Sequence, residues 1–176
     1  MNYWQGFKIL WTIQKQEVSC RLPAQDDPKA TLRHYMEFHF SIDGSGKATK
    51  EAHFALKRNR EEVLCELVLD NEQVREEVLK ELERRAADIA KGLGPDINPS
   101  DITCAFHDSP RRLYVKLKTT SDESPDLNKE YAWMLDLLKR FYLYFPKVIA
   151  DVYQTLGIKP NREDGGGKKS TEKPEH

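Results

Sequence analysis

From His34 to Leu93 the spacing of apolar residues changes from two to about 3.6 with no linker between. That single transition restricts the chain to a sheet with helices laid on it. Met36, Phe38, Phe40 and Ile42 alternate with Glu37, His39 and Ser41, and Ala52, Phe54 and Leu56 repeat the alternation. Successive side chains of a strand point to opposite faces, so such runs bury one face and wet the other. Asp43-Gly44-Ser45-Gly46-Lys47 separates the runs, and its glycines supply the positive φ of a tight turn. Arg58-Asn59-Arg60 predicts a second reversal, with Asn59 tolerating left-handed backbone. Val63 to Leu69 is apolar except at Glu66, the pattern of a central strand covered on both faces.

Asp70, with Gln73 three residues on, has the spacing of a capping box. It predicts one long helix carrying Val74, Val78, Leu82, Ala86 and Ile89 on one stripe, ended by Gly92 and Gly94 and kept from resuming by Pro95. Ile102, Cys104 and Phe106 form a fourth alternating set. Leu113, Val115 and Leu117 form a fifth, opposite Tyr114, Lys116 and Lys118. Ser124 and Pro125 read as N-cap and first residue of a helix carrying Leu127, Tyr131, Met134, Leu138, Phe141, Tyr142 and Phe145. Pro146 is expected to kink or interrupt it before a short continuation to Leu156 and Gly157. Near the N-terminus Tyr3, Trp4, Phe7, Leu10 and Trp11 share one helical face over residues 2–16, which predicts a helix docked by its aromatics. Residues 17–33 read as a loop around Pro23 and Pro28, with a short strand near Ser19–Leu22. The expected fold is α+β: an antiparallel sheet of about five strands with helices packed on it, in the order α-β-β-β-α-β-β-α. It fills residues 1–158 as one domain. Residues 159–176 lack apolar side chains and are expected to form a disordered tail.

Lys plus Arg (28) nearly cancel Asp plus Glu (29), so only local clustering can select an anionic partner. Cys20, Cys65 and Cys104 are odd in number and far apart. None belongs to a CxxC or Cys/His spacing, and Cys65 and Cys104 read as small buried hydrophobes. The first residues lack the parts of a signal peptide, and no run approaches the roughly 18 apolar residues of a membrane span. A soluble, cytoplasmic chain is expected.

Several landmarks together resemble a prokaryotic family known as domain of unknown function 4268. They are Trp4-Gln5-Gly6-Phe7, Phe38-His39-Phe40-Ser41, Arg58-Asn59 before Val63-Leu64-Cys65-Glu66-Leu67, and a late Trp133 followed by Phe141 and Phe145-Pro146. Members of that family often form the C-terminal part of longer proteins whose N-terminal part looks like a restriction-type nuclease. The resemblance therefore implies DNA-related or defence-related work by association. This chain departs from that layout, having no room for such a nuclease, and is expected to act alone or to join a separate partner. No catalytic residue is carried over.

The residues themselves offer little chemistry. A restriction-type metal site needs an acid two positions before a strand lysine, and neither Lys57 nor Lys116 has one. Glu66 is either a functional carboxylate or the partner of a nearby cation. His39 and His53 would face each other across a hairpin, and with Glu37 would make a metal or acid–base site in one geometry of many; the plainer alternative is a half-exposed polar sheet face, with His34 close by. His107-Asp108 lacks a nucleophile, Ser109 lies in no GxSxG elbow, and Gly44-Ser45-Gly46-Lys47 lacks the full phosphate-loop spacing. No metal and no cofactor is implied.

Basic clustering remains. Lys57, Arg58 and Arg60 share one hairpin, and Arg111 and Arg112 precede a strand carrying Lys116 and Lys118. If those sheet ends are neighbours they form a cationic patch with Tyr114 for stacking; otherwise Glu61, Glu62 and Asp108 neutralise them. The expectation is a non-enzymatic binding module for nucleic acid or a nuclease-type partner. The alternative is a protein–protein interaction or homodimerisation module presenting aromatics around Trp4, Trp11, Trp133 and Phe141. An enzymatic reading rests only on Glu66 and the two histidines.

Overall fold

The computed structural model describes residues 3–17, 35–59, 62–118 and 126–161. Arg60, Glu61, Cys20, His34, the loop and strand expected within 18–34, the Ser124–Pro125 start signal and the tail from 162 onward lie outside that set. The described elements are helix α1 (Tyr3–Glu17), strands β1 (Tyr35–Phe38), β2 (Ala52–Arg58) and β3 (Glu62–Leu69), helices α2 (Arg75–Arg84) and α3 (Ala86–Leu93), a 3-10 turn (Pro99–Asp101), strands β4 (Ile102–Ala105) and β5 (Arg112–Lys118), and helix α4 (Leu127–Leu156). The strands form one five-stranded antiparallel sheet in the order β1-β2-β3-β5-β4. The expected α+β architecture is therefore the one observed, and β3 is its central strand.

Register divides the sheet into two faces. Phe38, Phe54, Leu67 and Leu113 form one cross-strand row, and Met36, Leu56, Cys65 and Val115 form the next on the same face. These side chains join the core with the helices. Phe38 packs against Phe7 and Trp11 of α1, with ring centroids 6.5 and 5.4 Å away. Phe54 meets Phe141, Tyr142 and Phe145 of α4 at 5.6, 5.0 and 6.3 Å. The period of two thus supplies a flat apolar surface, and the helices cover it. Each aliphatic side chain buried there contributes roughly 1.5–3 kcal/mol. The described helices share this inner face, and the other is called the outer face below.

Several local expectations are corrected. The helix foretold from Asp70 begins at Arg75 and is broken at Arg85, where the N–H is shared between the carbonyls of Glu81 and Leu82. Asp70 does not cap it, because its carboxylate is taken by His53 at 2.7 Å. Asn71 instead accepts the Gln73 N–H on its side chain and the Val74 and Arg75 N–H groups on its carbonyl. Gly92 lies inside α3; Gly94, at φ 137, follows its last residue. Helix α4 as described starts at Leu127 on an Asp126 cap. It then runs unbroken through Pro146. A helix-interior proline costs about 3 kcal/mol; here the buried Tyr142, Phe145, Val148 and Ile149 surround it and offset that cost. Strand β1 ends at Phe38, short of the alternation that continues to Ile42.

Asn59 shows no left-handed backbone. Its side-chain Oδ1 accepts the Glu62 N–H at 3.0 Å while its own N–H donates to the Glu62 carbonyl, which closes the reversal by another route. Cys104 is only partly buried, on an edge strand, although desolvation pushes its thiol up to about 12. Leu10 and Leu127, expected on buried faces, are exposed. At the other end the chain stays attached beyond residue 158. The Asn161 N–H donates to Glu51, whose buried carboxylate also accepts from Asn71 Nδ2 and Tyr153 OH.

Candidate interaction surfaces

Of the seven basic residues singled out in the sequence, the five whose side chains are described do not form one patch. Adjacent strand residues face opposite ways, so Lys57 belongs to the outer face and Arg58 to the inner. Arg58 Nε donates to Glu130 Oε2 of α4 at 3.1 Å, and its guanidinium lies 5.1 Å from the Tyr3 ring centroid. Tyr3 OH donates to the same Glu130 oxygen at 2.6 Å. With the Glu130 side chain 3% exposed, this is a buried tie between α1, β2 and α4, not a phosphate contact. Burial and the neighbouring carboxylate push the Tyr3 phenol far above its ordinary range.

Strand direction separates the rest. β2 and β5 both run antiparallel to β3, which puts the Lys57 end of β2 and the Lys116 end of β5 at the same end of the sheet, with β3 between them. Lys57, Leu64 and Lys116 share one outer-face row, and Lys118 pairs with Glu62 in the next. Arg112 lies opposite Val68, four residues from Lys116 along β5, or about 13 Å. Arg111 is at that far end too, donating to the Asp108 carbonyl at 2.7 Å. Arg112 is engaged twice, by Asp108 Oδ2 at 2.8 Å and Glu66 Oε1 at 3.3 Å. Lys116 lies 3.5 Å from Glu62. Arg60 and the Lys118 side chain fall outside the described residues. Of the predicted cluster, Lys57 and Lys116 share one end of the sheet on either side of Leu64, while Arg58 turns inward and Arg111 and Arg112 lie at the other end.

Glu66 lies beside a cation, with Arg112 Nε 3.3 Å from its Oε1. It is 4% exposed, and burial raises its carboxyl above the ordinary range even though Arg112, Lys57 and His53 all favour the charged form. The approach to Arg112 Nε is misaligned, so neither atom gains a hydrogen bond from it. His39 and His53 do meet, with ring centroids 6.0 Å apart. Yet His53 is held by carboxylates: Asp70 at 2.7 Å from Nδ1 and Glu37 at 3.9 Å from Nε2. Among the described residues no three His, Cys, Asp or Glu side chains gather to hold a metal ion.

A second surface was missed by the sequence pattern. On α1 the aromatic face of Trp4, Phe7 and Trp11 is buried, but Ile9, Leu10 and Ile13 stand 51%, 36% and 49% exposed. At about 100° per residue, Ile9 and Ile13 fall on the side roughly opposite the tryptophans. That spacing was available in the sequence and would have revealed a helix apolar on two sides. Two shallow recesses, of about 300 Å³ beside Tyr144 and Lys147 and about 510 Å³ beside Lys47 and Pro160, receive none of the predicted site residues. Among the described residues no helix is long and apolar enough to cross a membrane.

No family model, no curated protein and no solved structure matches the chain. The landmarks behind the resemblance noted above are mostly core positions. Trp4, Phe7, Phe38, Phe40, Val63, Cys65, Leu67, Phe141 and Phe145 are all buried. At Gly6 an added Cβ would come within 2.7 Å of the Tyr131 hydroxyl. Such residues speak to packing, and carry no argument about activity.

Proposed function

We propose that this chain is a non-enzymatic protein-interaction module whose contact surface includes the outward stripe of α1. The observation that carries this reading is the cluster of Ile9, Leu10 and Ile13, three exposed branched side chains within one turn and a half of helix. Exposed single aliphatics are ordinary, whereas grouped ones mark contact surfaces. The stripe lies on the side of α1 turned away from the sheet, since Phe7 and Trp11 on its other side seat on Phe38. A nucleic-acid partner is disfavoured by charge, because Arg58, Arg112 and Lys116 each face a carboxylate within 3.5 Å. Counterion release needs cations left for phosphate. Partners of this class include a second copy of the chain and, following the resemblance, a separate nuclease-type protein.

Light scattering across a concentration series provides the test. Wild type should self-associate or form a stoichiometric complex with such a partner. Ile9→Lys with Ile13→Lys should abolish association while changing stability by no more than about 0.5 kcal/mol, as exposed substitutions do. A monomer that instead shifts DNA at low salt, with the shift lost on Lys57→Glu and Lys116→Glu, would return the argument to nucleic acid.

A further inference from the structure

We propose that His53 makes the fastening of edge strand β1, and through Phe38 the seat of α1, sensitive to pH in the neutral range. The His53 side chain lies on the outer face, 14% exposed, between carboxylates from two sides. Glu37 belongs to β1 and Asp70 follows β3. Glu66 on β3 adds a third negative charge one diagonal step away, since Ala55 pairs with Glu66 and His53 with Val68. His39, which follows β1, brings a second imidazole to 6.0 Å. Arg112 stands beyond Val68 in the same row, about 10 Å off at twice the strand spacing, and is engaged by Glu66 and Asp108. The described groups facing His53 are thus three carboxylates, one imidazole and one distant guanidinium.

A doubly protonated ring donates one N–H to Asp70 and turns the other toward Glu37, drawing β1 onto β2. A neutral ring keeps its single proton on Nδ1 for the nearer Asp70. Its Nε2 lone pair then faces the Glu37 carboxylate, and attraction becomes repulsion. Among the described residues β1 pairs through four residues with β2 alone, so its fastening on the outer face depends on contacts such as this one. Loosening it reaches α1, because Phe38 packs against Phe7 and Trp11.

Burial opposes the charge on His53, but the hydrogen bond and charge of Asp70, with Glu37 and Glu66, outweigh it and raise the pKa. A base whose folded-state pKa is raised contributes stability fully present below its unfolded value, about 6.5, and lost as pH rises through the folded value. The test is the amide-exchange protection of residues 35–38 in the full chain, corrected for intrinsic rates, between about pH 5.5 and 8.5. Relative to β3, β1 protection should fall about two- to fivefold across that range in wild type and stay level in Glu37→Gln. Level protection in wild type, a slope surviving in Glu37→Gln, or a His53 imidazole that titrates at or below about 6.5 by NMR overturns the proposal.

Discussion

Replacing Arg58 by methionine should destabilise the fold by about 3 kcal/mol, because it strands a buried carboxylate. Glu130 would keep the Tyr3 hydroxyl and lose its cation, and its Oε1 already makes no hydrogen bond. For a chain of this length that loss corresponds to about 6–12 °C in Tm. Thermal unfolding followed by circular dichroism measures it. The double variant Arg58→Met with Glu130→Leu should recover most of the loss, since removing both charges removes the desolvation problem along with the attraction. A single variant within about 0.5 kcal/mol of wild type would show that the tie carries no weight. A charge reversal at Arg58 would likewise destabilise the fold, so it cannot report on a cationic patch.

Phe54→Ala should cost about 4 kcal/mol, in the range of large cavities in packed cores. Its ring stacks on Phe40 with centroids 4.3 Å apart and meets three rings of α4. Removing it opens the seam between β2 and the long helix. Denaturant unfolding should show a lower midpoint with the slope retained. Leu143→Ala, at a site 68% exposed on the same helix, serves as the control and should fall within about 0.5 kcal/mol. A Phe54→Ala midpoint equal to that of the control would mean that the aromatic seam is not the core.

Both expectations bear on what could be read in advance. The two faces of β2 are legible in the order Ala52-His53-Phe54-Ala55-Leu56-Lys57-Arg58, because parity alone assigns them. That same parity sets Lys57 and Arg58 on opposite faces of the sheet. Ile9 and Ile13 were likewise legible as a second apolar side of α1. Other features were not. Nothing between Glu83 and Ala87 marks a helix break, yet α2 and α3 part at Arg85, where the guanidinium reaches Glu81 and Thr155 of α4. Pro146 carries a strong local signal for interruption, and the helix ignores it because packing on both sides outweighs one missing hydrogen bond.

The amino-acid order by itself determined the element types, their succession and which residues of each strand belong to the apolar face, since these follow from periods of two and about 3.6 along a single chain. Strand order, and with it which ends of the sheet lie together, was decided only in three dimensions. Lys57 and Lys116 came to the same end of the sheet on either side of Leu64, Arg111 and Arg112 were carried to the other end, and Arg58 found Glu130 seventy-two residues away. Pairing across strands and burial of a charge depend on partners distant in sequence, and no local pattern encodes who those partners are.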